Sequence, residues 1–133
     1  MNGTHVRLRV GREIYALPIE NVLEVAELGK LERVPGSANR LIGIRNFHGQ
    51  VLPVFDLAQV LGIARETPPA RLLVADLEGR LAGFAVDEVT NVAPLEGALQ
   101  ESDVDYLAHA TLEEGQLVGV VDVARVFAVL AEA

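Results

Sequence analysis

The chain has 133 residues, half of them apolar, with no cysteine and a formal net charge of −8. That length suits one domain, the apolar half excludes a disordered chain, and the missing cysteine excludes a disulfide framework or a thiolate site. The charge is unevenly divided, with a net +1 over residues 1–66 and −9 over 67–133, so the second half repels nucleic acid and anionic membrane. The split serves solubility or suits lobes that engage partners of different charge. No apolar run approaches the roughly 18–20 residues that span a membrane. The N-terminus has no signal-peptide pattern, and cytoplasmic location is the expectation.

In chain order, Val6-Arg7-Leu8-Arg9-Val10 alternates apolar and polar, the period of a half-buried strand. Gly11-Arg12 turns the chain, Ile14 to Leu17 returns, and Pro18 ends that strand because it lacks an N–H. Ile19 to Val22 predicts a short helical turn, and Leu23 to Leu28 a further strand. After the turn residues Pro35 to Asn39, Leu41 to Arg45 and Val51 to Phe55 predict a hairpin across Asn46-Phe47-His48-Gly49. Pro53 requires an edge or a bulge. Asp56 is placed to cap a helix with Leu57, Val60 and Leu61 as its apolar face and Gly62 as its stop. Ala64 to Ala70, with Pro68-Pro69, reads as the linker between lobes.

The second half repeats the plan. Arg71 to Leu77 and Leu81 to Val86 form a hairpin across Glu78-Gly79-Arg80, Val89 to Leu95 is a strand, and acidic Gly97 to Asp105 a loop. Tyr106 to Leu112 and Gln116 to Val121 make the last hairpin, and Asp122 caps a final helix carrying Val123, Val126, Phe127 and Leu130. The block from Gly49 to Leu61 recurs without a gap, 66 positions on, from Gly115 to Phe127, with Gly, Gln, Asp and Ala identical at matched places. Gly11-Arg12 followed by Ala16 to Val22 similarly resembles Gly79-Arg80 followed by Ala85 to Val89. Two echoes in the same order imply twin lobes. Each has about five short strands and a short helix, a composition that favours a small closed barrel because closure removes edges. Each half is short for an independent core, so the lobes are expected to share buried surface.

Signals of chemistry are thin. The glycines sit singly at turns rather than in a phosphate-cradling loop, and Ser37 and Ser102 lie in turn or loop stretches without a nucleophile elbow. His5, His48 and His109 match no metal-ligand spacing. Asp56 and Asp122 read as paired helix caps rather than paired catalytic carboxylates, and Asp87-Glu88, Asp103 and Asp105 as a solvated face. No catalytic residue, metal site or cofactor is assigned. Val22, Leu23, Glu24, Ile42 and Gly43 lie on or beside strands that suit either partner contact or internal packing, and Gly43 lets another backbone approach closely.

Three stretches resemble a known family. Tyr15 to Val25, Val34-Pro35-Gly36 with Leu41 to Leu57, and Gly79 to Val89 look like a CheW-like domain, in the right order and over about residues 6–130. The resemblance implies a mainly β fold of two intertwined five-stranded SH3-like β-barrel lobes with short helices and a shared hydrophobic core. The expected organisation is a single domain over residues 1–133. Its first lobe covers about 14–66 plus strand exchange and its second about 67–130. The implied role is a non-enzymatic adaptor, cytoplasmic and associated with membrane-bound receptor arrays. It couples the cytoplasmic tip of methyl-accepting chemoreceptors to the regulatory domain of a CheA-type histidine kinase, without direct membrane insertion or nucleic-acid binding. On matching positions, kinase contact falls on Val22, Glu24, Ile42, Gly43, Arg45, Asn46 and His48. Receptor contact falls on the apolar groove between lobes, at Val34, Leu41, Ala85 and Val86. His48 departs from the family, which usually has arginine there, so a fixed charge gives way to an imidazole. A CheW-like fragment of a larger CheA or CheV-type protein is the nearest alternative. A small enzyme with a pocket at the lobe seam is the alternative from another class, favoured by a strongly perturbed carboxylate or histidine there.

Overall fold

A computed structural model describes residues 3–36 and 40–131; of the turn Pro35 to Asn39, the last three residues lie outside them. The strands are β1 (Thr4–Val10), β2 (Glu13–Pro18), β3 (Val22–Glu27), β4 (Leu41–Phe47), β5 (Gln50–Asp56), β6 (Arg71–Leu77), β7 (Arg80–Val86), β8 (Glu88–Pro94), β9 (Gln100–Glu101), β10 (Leu107–Glu113) and β11 (Gln116–Val121). A 3-10 turn at Ile19–Asn21 and two helices, α1 (Leu57–Leu61) and α2 (Val123–Ala131), complete the chain.

The strands form two sheets, ordered β3-β6-β7-β5-β4 and β8-β1-β2-β11-β10-β9. They do not follow the two halves of the sequence. The hairpin β1–β2 from the first half joins β8–β11, and the hairpin β6–β7 from the second half joins β3–β5. Parallel ladders make both joins, β2 with β11 (Tyr15 opposite Gly119) and β5 with β7 (Phe55 opposite Phe84). Strand exchange is therefore a trade of whole hairpins. The first sheet has the expected five strands; the second gains a sixth, the two-residue β9, within the acidic stretch expected to be a loop.

Period-two alternation explains the core. On β5, Leu52 and Val54 point into the first barrel while Phe55 points the other way; on β6, Leu72 and Val74 oppose Leu73 and Ala75. Ala16, Leu95, Val118 and Val120 fill the second barrel. Between the barrels lies a shared layer that includes Leu8, Leu17, Phe55, Leu73, Phe84 and Phe127. Strands lining both a barrel and this layer are apolar on both faces, which gives the near-continuous runs at 71–77 and 81–86.

The expected caps are present. The Asp56 carboxylate accepts from the Ala58 N–H at 3.0 Å, and Gly62 ends α1 in the left-handed conformation. Asp122 accepts from the Arg125 N–H at 3.1 Å. Pro53 pairs with Ile44 of β4, and the β5–β7 ladder begins one residue later, at Val54, so the missing N–H interrupts nothing. His48-Gly49, Glu78-Gly79 and Glu114-Gly115 each have φ above zero at both positions, the two-residue turn whose twist matches a hairpin.

Candidate functional site

The first sheet curls until its two edge strands, β3 and β4, face each other, and the expected kinase-facing residues lie along that closure. Each edge carries a bulge, at Leu23 and at Ile42, a device that disrupts pairing with other chains. The Arg45 guanidinium donates to the carbonyls of Glu27 and Leu28 at 2.9 and 2.8 Å, tying the end of β3 to β4. Glu32 and Ile44 exchange two backbone hydrogen bonds of 2.8 Å. His48 Nε2 lies 3.4 Å from Glu24 Oε1, with side chains 72% and 43% exposed, and its ring meets Phe47 edge-on at 4.4 Å. The Asn46 side chain accepts from the Gly49 N–H at 2.7 Å, bracing the turn that presents His48. Val22 is half-buried against the shared core.

Three expectations need correction. Gly43 is buried, and the backbone that approaches it closely is the chain's own: a Cβ there would lie 2.8 Å from Leu31 Cβ and 2.9 Å from the Glu32 carbonyl oxygen. Ala85 and Val86 are both 0% exposed, because β7 lies between two paired strands and its two faces point into the first barrel and into the shared layer. Their side chains reach no partner. Val34 and Leu41 remain half-exposed, and Leu41, like Val22, packs against the margin of the shared core. Asp87 belongs to no solvated face; its side chain is 5% exposed.

Asp87 instead organises the junction between lobes. Arg65 lies on the segment expected to link the lobes, which instead joins β5 to β6 within the first sheet; it donates to Asp56 at 2.6 Å and also contacts Asp87. Asp87 accepts from the Gly11 N–H, and Arg9 lies 3.6 Å away. Asp56 thus caps α1 and anchors that segment. The sequence held no local sign of this, since the five residues are spread over 78 positions, from Arg9 to Asp87, and only folding gathers them. The second barrel closes through a comparable pair. Arg7 of β1 grips Glu113 of β10 with two bonds of 2.7 and 2.6 Å and donates to the Ala93 and Pro94 carbonyls of β8. Hydrogen bonding from Arg7 holds the Glu113 carboxyl below its ordinary range, and the same bond raises Arg7.

A groove of about 650 Å³ lies between the C-terminal end of α1 and β2, β11 and β10. Its lining holds one carboxylate, Glu13, which accepts from the Tyr15 hydroxyl, and no histidine. Burial, aided by that bond, raises the Tyr15 hydroxyl well above its ordinary value. Among the described residues, no group of three or more His, Asp or Glu is arranged to hold a metal ion. No described helix is long and apolar enough to cross a membrane.

The family model for the CheW-like domain matches residues 4–131. The chemotaxis protein CheW of Helicobacter pylori is 32% identical over 110 residues, covering 81% of this chain and 64% of that protein. Protein FrzA of Myxococcus xanthus is 40% identical over 83 residues, covering 61% of this chain and 52% of its own length. Protein PilI of Pseudomonas aeruginosa is 29% identical, covering 71% and 61%. These matches span less than two thirds of each relative. Among solved structures, the scaffolding protein TtCheW of Thermoanaerobacter tengcongensis superposes with a TM-score of 0.83 over 92% of this chain and 90% of its own, at 23% identity, a likeness of fold.

Proposed function

The chain belongs to the CheW-like domain family, and on that premise we propose that it is a non-enzymatic adaptor coupling methyl-accepting chemoreceptors to a CheA-type histidine kinase, in the cytoplasm at membrane-bound receptor arrays. The observation that carries this reading is the closure of the first barrel. The two edge strands of the first sheet bring Glu24, Ile42, Arg45, Asn46 and His48 onto one seam, where the exposed side chains of Glu24, Asn46 and His48 are available to a partner. Arg45 keeps the seam in shape rather than offering a free charge, since it is bound to the chain's own carbonyls. The kinase's regulatory domain is the partner assigned to this seam. The receptor tip is assigned to the half-exposed Val34 and Leu41. Coupling then requires no bond to be made or broken: the adaptor holds two proteins at a fixed distance and angle.

The test is reconstitution. Purified chain is mixed with a CheA-type kinase and vesicles carrying a chemoreceptor, and kinase autophosphorylation is followed with and without receptor ligand. The proposal expects the chain to bring autophosphorylation under ligand control, and Glu24→Lys to weaken binding to the isolated regulatory domain at least about tenfold. Kinase activity indifferent to the chain would sink it.

A further inference from the structure

We infer that the groove between the end of α1 and the second barrel is a separate docking site for a basic amphipathic helix of a protein partner. Leu61 and Ile63 form one wall, and Leu107, Ala110 and Leu117 line the other side. The wall at Ile63 and Ala64 already covers Gly11, where a Cβ would lie 3.1 Å from the Ala64 carbonyl oxygen and 3.2 Å from Ile63 Cγ2. The chain therefore covers one part of this outer sheet face with its own apolar segment and leaves the rest open. On the open part, Leu112 and Leu117 are a cross-strand pair, 64% and 63% exposed, with their side chains on the same face. Val104, 60% exposed, lines the same groove. Of the exposed large apolar residues among those described, three thus gather here, which marks an interaction surface rather than scattered exposure.

Two features select the occupant. The strands under the groove already have backbone partners: β11 lies between β10 and β2, and β10 pairs with β11 along its length and with β9 at His109 and Ala110, its middle. With β11 interior and the middle of β10 already paired, the groove floor offers side chains rather than a strand edge, the mode of an apolar helix stripe laid in a groove. The rim is acidic. Asp103 and Asp105 flank the lining residue Val104, and Glu13 lines the groove. The cation on this rim, Arg12, is paired with Glu66 at 2.9 Å. Lysine and arginine beside the apolar stripe complement this field, whereas a second copy of this chain, at net −8, opposes it. The site goes beyond the adaptor reading, since it lies on the second lobe and its test uses neither kinase nor receptor.

The probes are two designed helical peptides of about 16 residues, roughly 24 Å of helix. They share one leucine stripe, and one is flanked by lysine, the other by glutamate. Fluorescence anisotropy with the full chain should give at least about tenfold tighter binding of the lysine peptide, weakened several-fold when salt is raised to about 0.5 M. Leu117→Gln, at an exposed position, should cost about tenfold, whereas Val92→Gln, an equally exposed apolar residue on β8, should cost less than about twofold. Thermal melts establish that both variants are folded. Equal affinity for the two peptides, equal effects of Leu117→Gln and Val92→Gln, no binding up to about 1 mM, or a dimer in sedimentation that Leu117→Gln abolishes would each overturn the inference.

Discussion

Gly43 offers the sharpest check on the geometry of the first barrel. Adding only a methyl group, Gly43→Ala, puts a carbon 2.8 Å from Leu31 Cβ and 2.9 Å from the Glu32 carbonyl oxygen, both attached to or part of backbone that cannot rotate away. Either the core strains or the segment around Leu31 swings out. Strain of this kind costs about 1–3 kcal/mol. Swinging out breaks the two 2.8 Å hydrogen bonds between Glu32 and Ile44, at about 1 kcal/mol each, and partly uncovers Leu28 and Leu31, which pack against the first barrel's interior. Both routes lead to a loss within about 1–3 kcal/mol, a sizeable share of the roughly 5–15 kcal/mol that holds a domain folded. Urea unfolding measures the loss, and hydrogen exchange at the Glu32 and Ile44 amides identifies the route. A variant within about 0.5 kcal/mol of the parent, with both amides still protected, would refute the reasoning. A bulkier Gly43→Arg suffers the same collision, so weakened kinase binding in it would report a displaced loop rather than a blocked contact.

Three further outcomes are expected. Glu113→Gln should destabilise the chain by about 3 kcal/mol at pH 7, because it leaves Arg7 buried without a counter-charge. Since Arg7 holds Glu113 below its ordinary range, the pair's contribution is complete above the unfolded carboxyl value of about 4.3 and fades as pH falls through the lower folded value. Parent and variant stabilities should therefore converge below about pH 4, and parallel pH profiles in urea melts would contradict this. Arg65→Met should cost about 3 kcal/mol by leaving Asp56 and Asp87 buried together, with Arg65→Lys intermediate; a change under about 1 kcal/mol would show the junction to be dispensable. His48→Arg should change stability by under about 1 kcal/mol, the scale of an exposed pair, and leave affinity for the kinase regulatory domain within about tenfold in direct titration; a larger loss would mean that the imidazole itself is read by the partner.

What was legible in the sequence is what neighbouring residues decide. Hairpins, turns and caps depend on a few adjacent positions, so Asp56, Asp122, Gly62 and the turn at His48-Gly49 stand where their chemistry requires. The trade of hairpins was not assigned to particular strands, because β1–β2 has the same alternation whichever sheet receives it. The receiving contact, Tyr15 beside Gly119, joins residues 104 positions apart. Gly43 shows the same limit at the site: glycine announces close approach, but not whose backbone approaches. Asp87 reads as solvated among acidic neighbours, and only the arrival of Arg65, Arg9 and the Gly11 N–H makes its burial tolerable. Ala85 and Val86 sit in an apolar run whose two faces both turn inward, and a run of that kind does not say which side, if any, meets a partner.

The traded hairpins bear on how the proposed coupling would work. In two barrels joined only by a linker, relative motion would be the default, since interfaces between lobes are ordinarily small. Here each barrel contains two strands from the other half of the sequence, both parallel joins lie inside the sheets, and the layer between the barrels is apolar and continuous. The chain itself crosses between the barrels twice, from β2 to β3 and from β7 to β8, and rotating one barrel against the other would have to open the apolar layer between them. The segment after α1 adds a polar lock where Arg65 meets Asp56 at the foot of α1 and Asp87 at the crossing into β8. Under the proposed coupling, partners docked on the two lobes would be held in a fixed mutual orientation. A displacement imposed at one face would then be carried to the other as rigid-body movement rather than absorbed by a hinge. Stiffness of this kind is the mechanical property that the proposed coupling requires, and its source is the apolar layer that the exchanged hairpins share rather than any residue on either face.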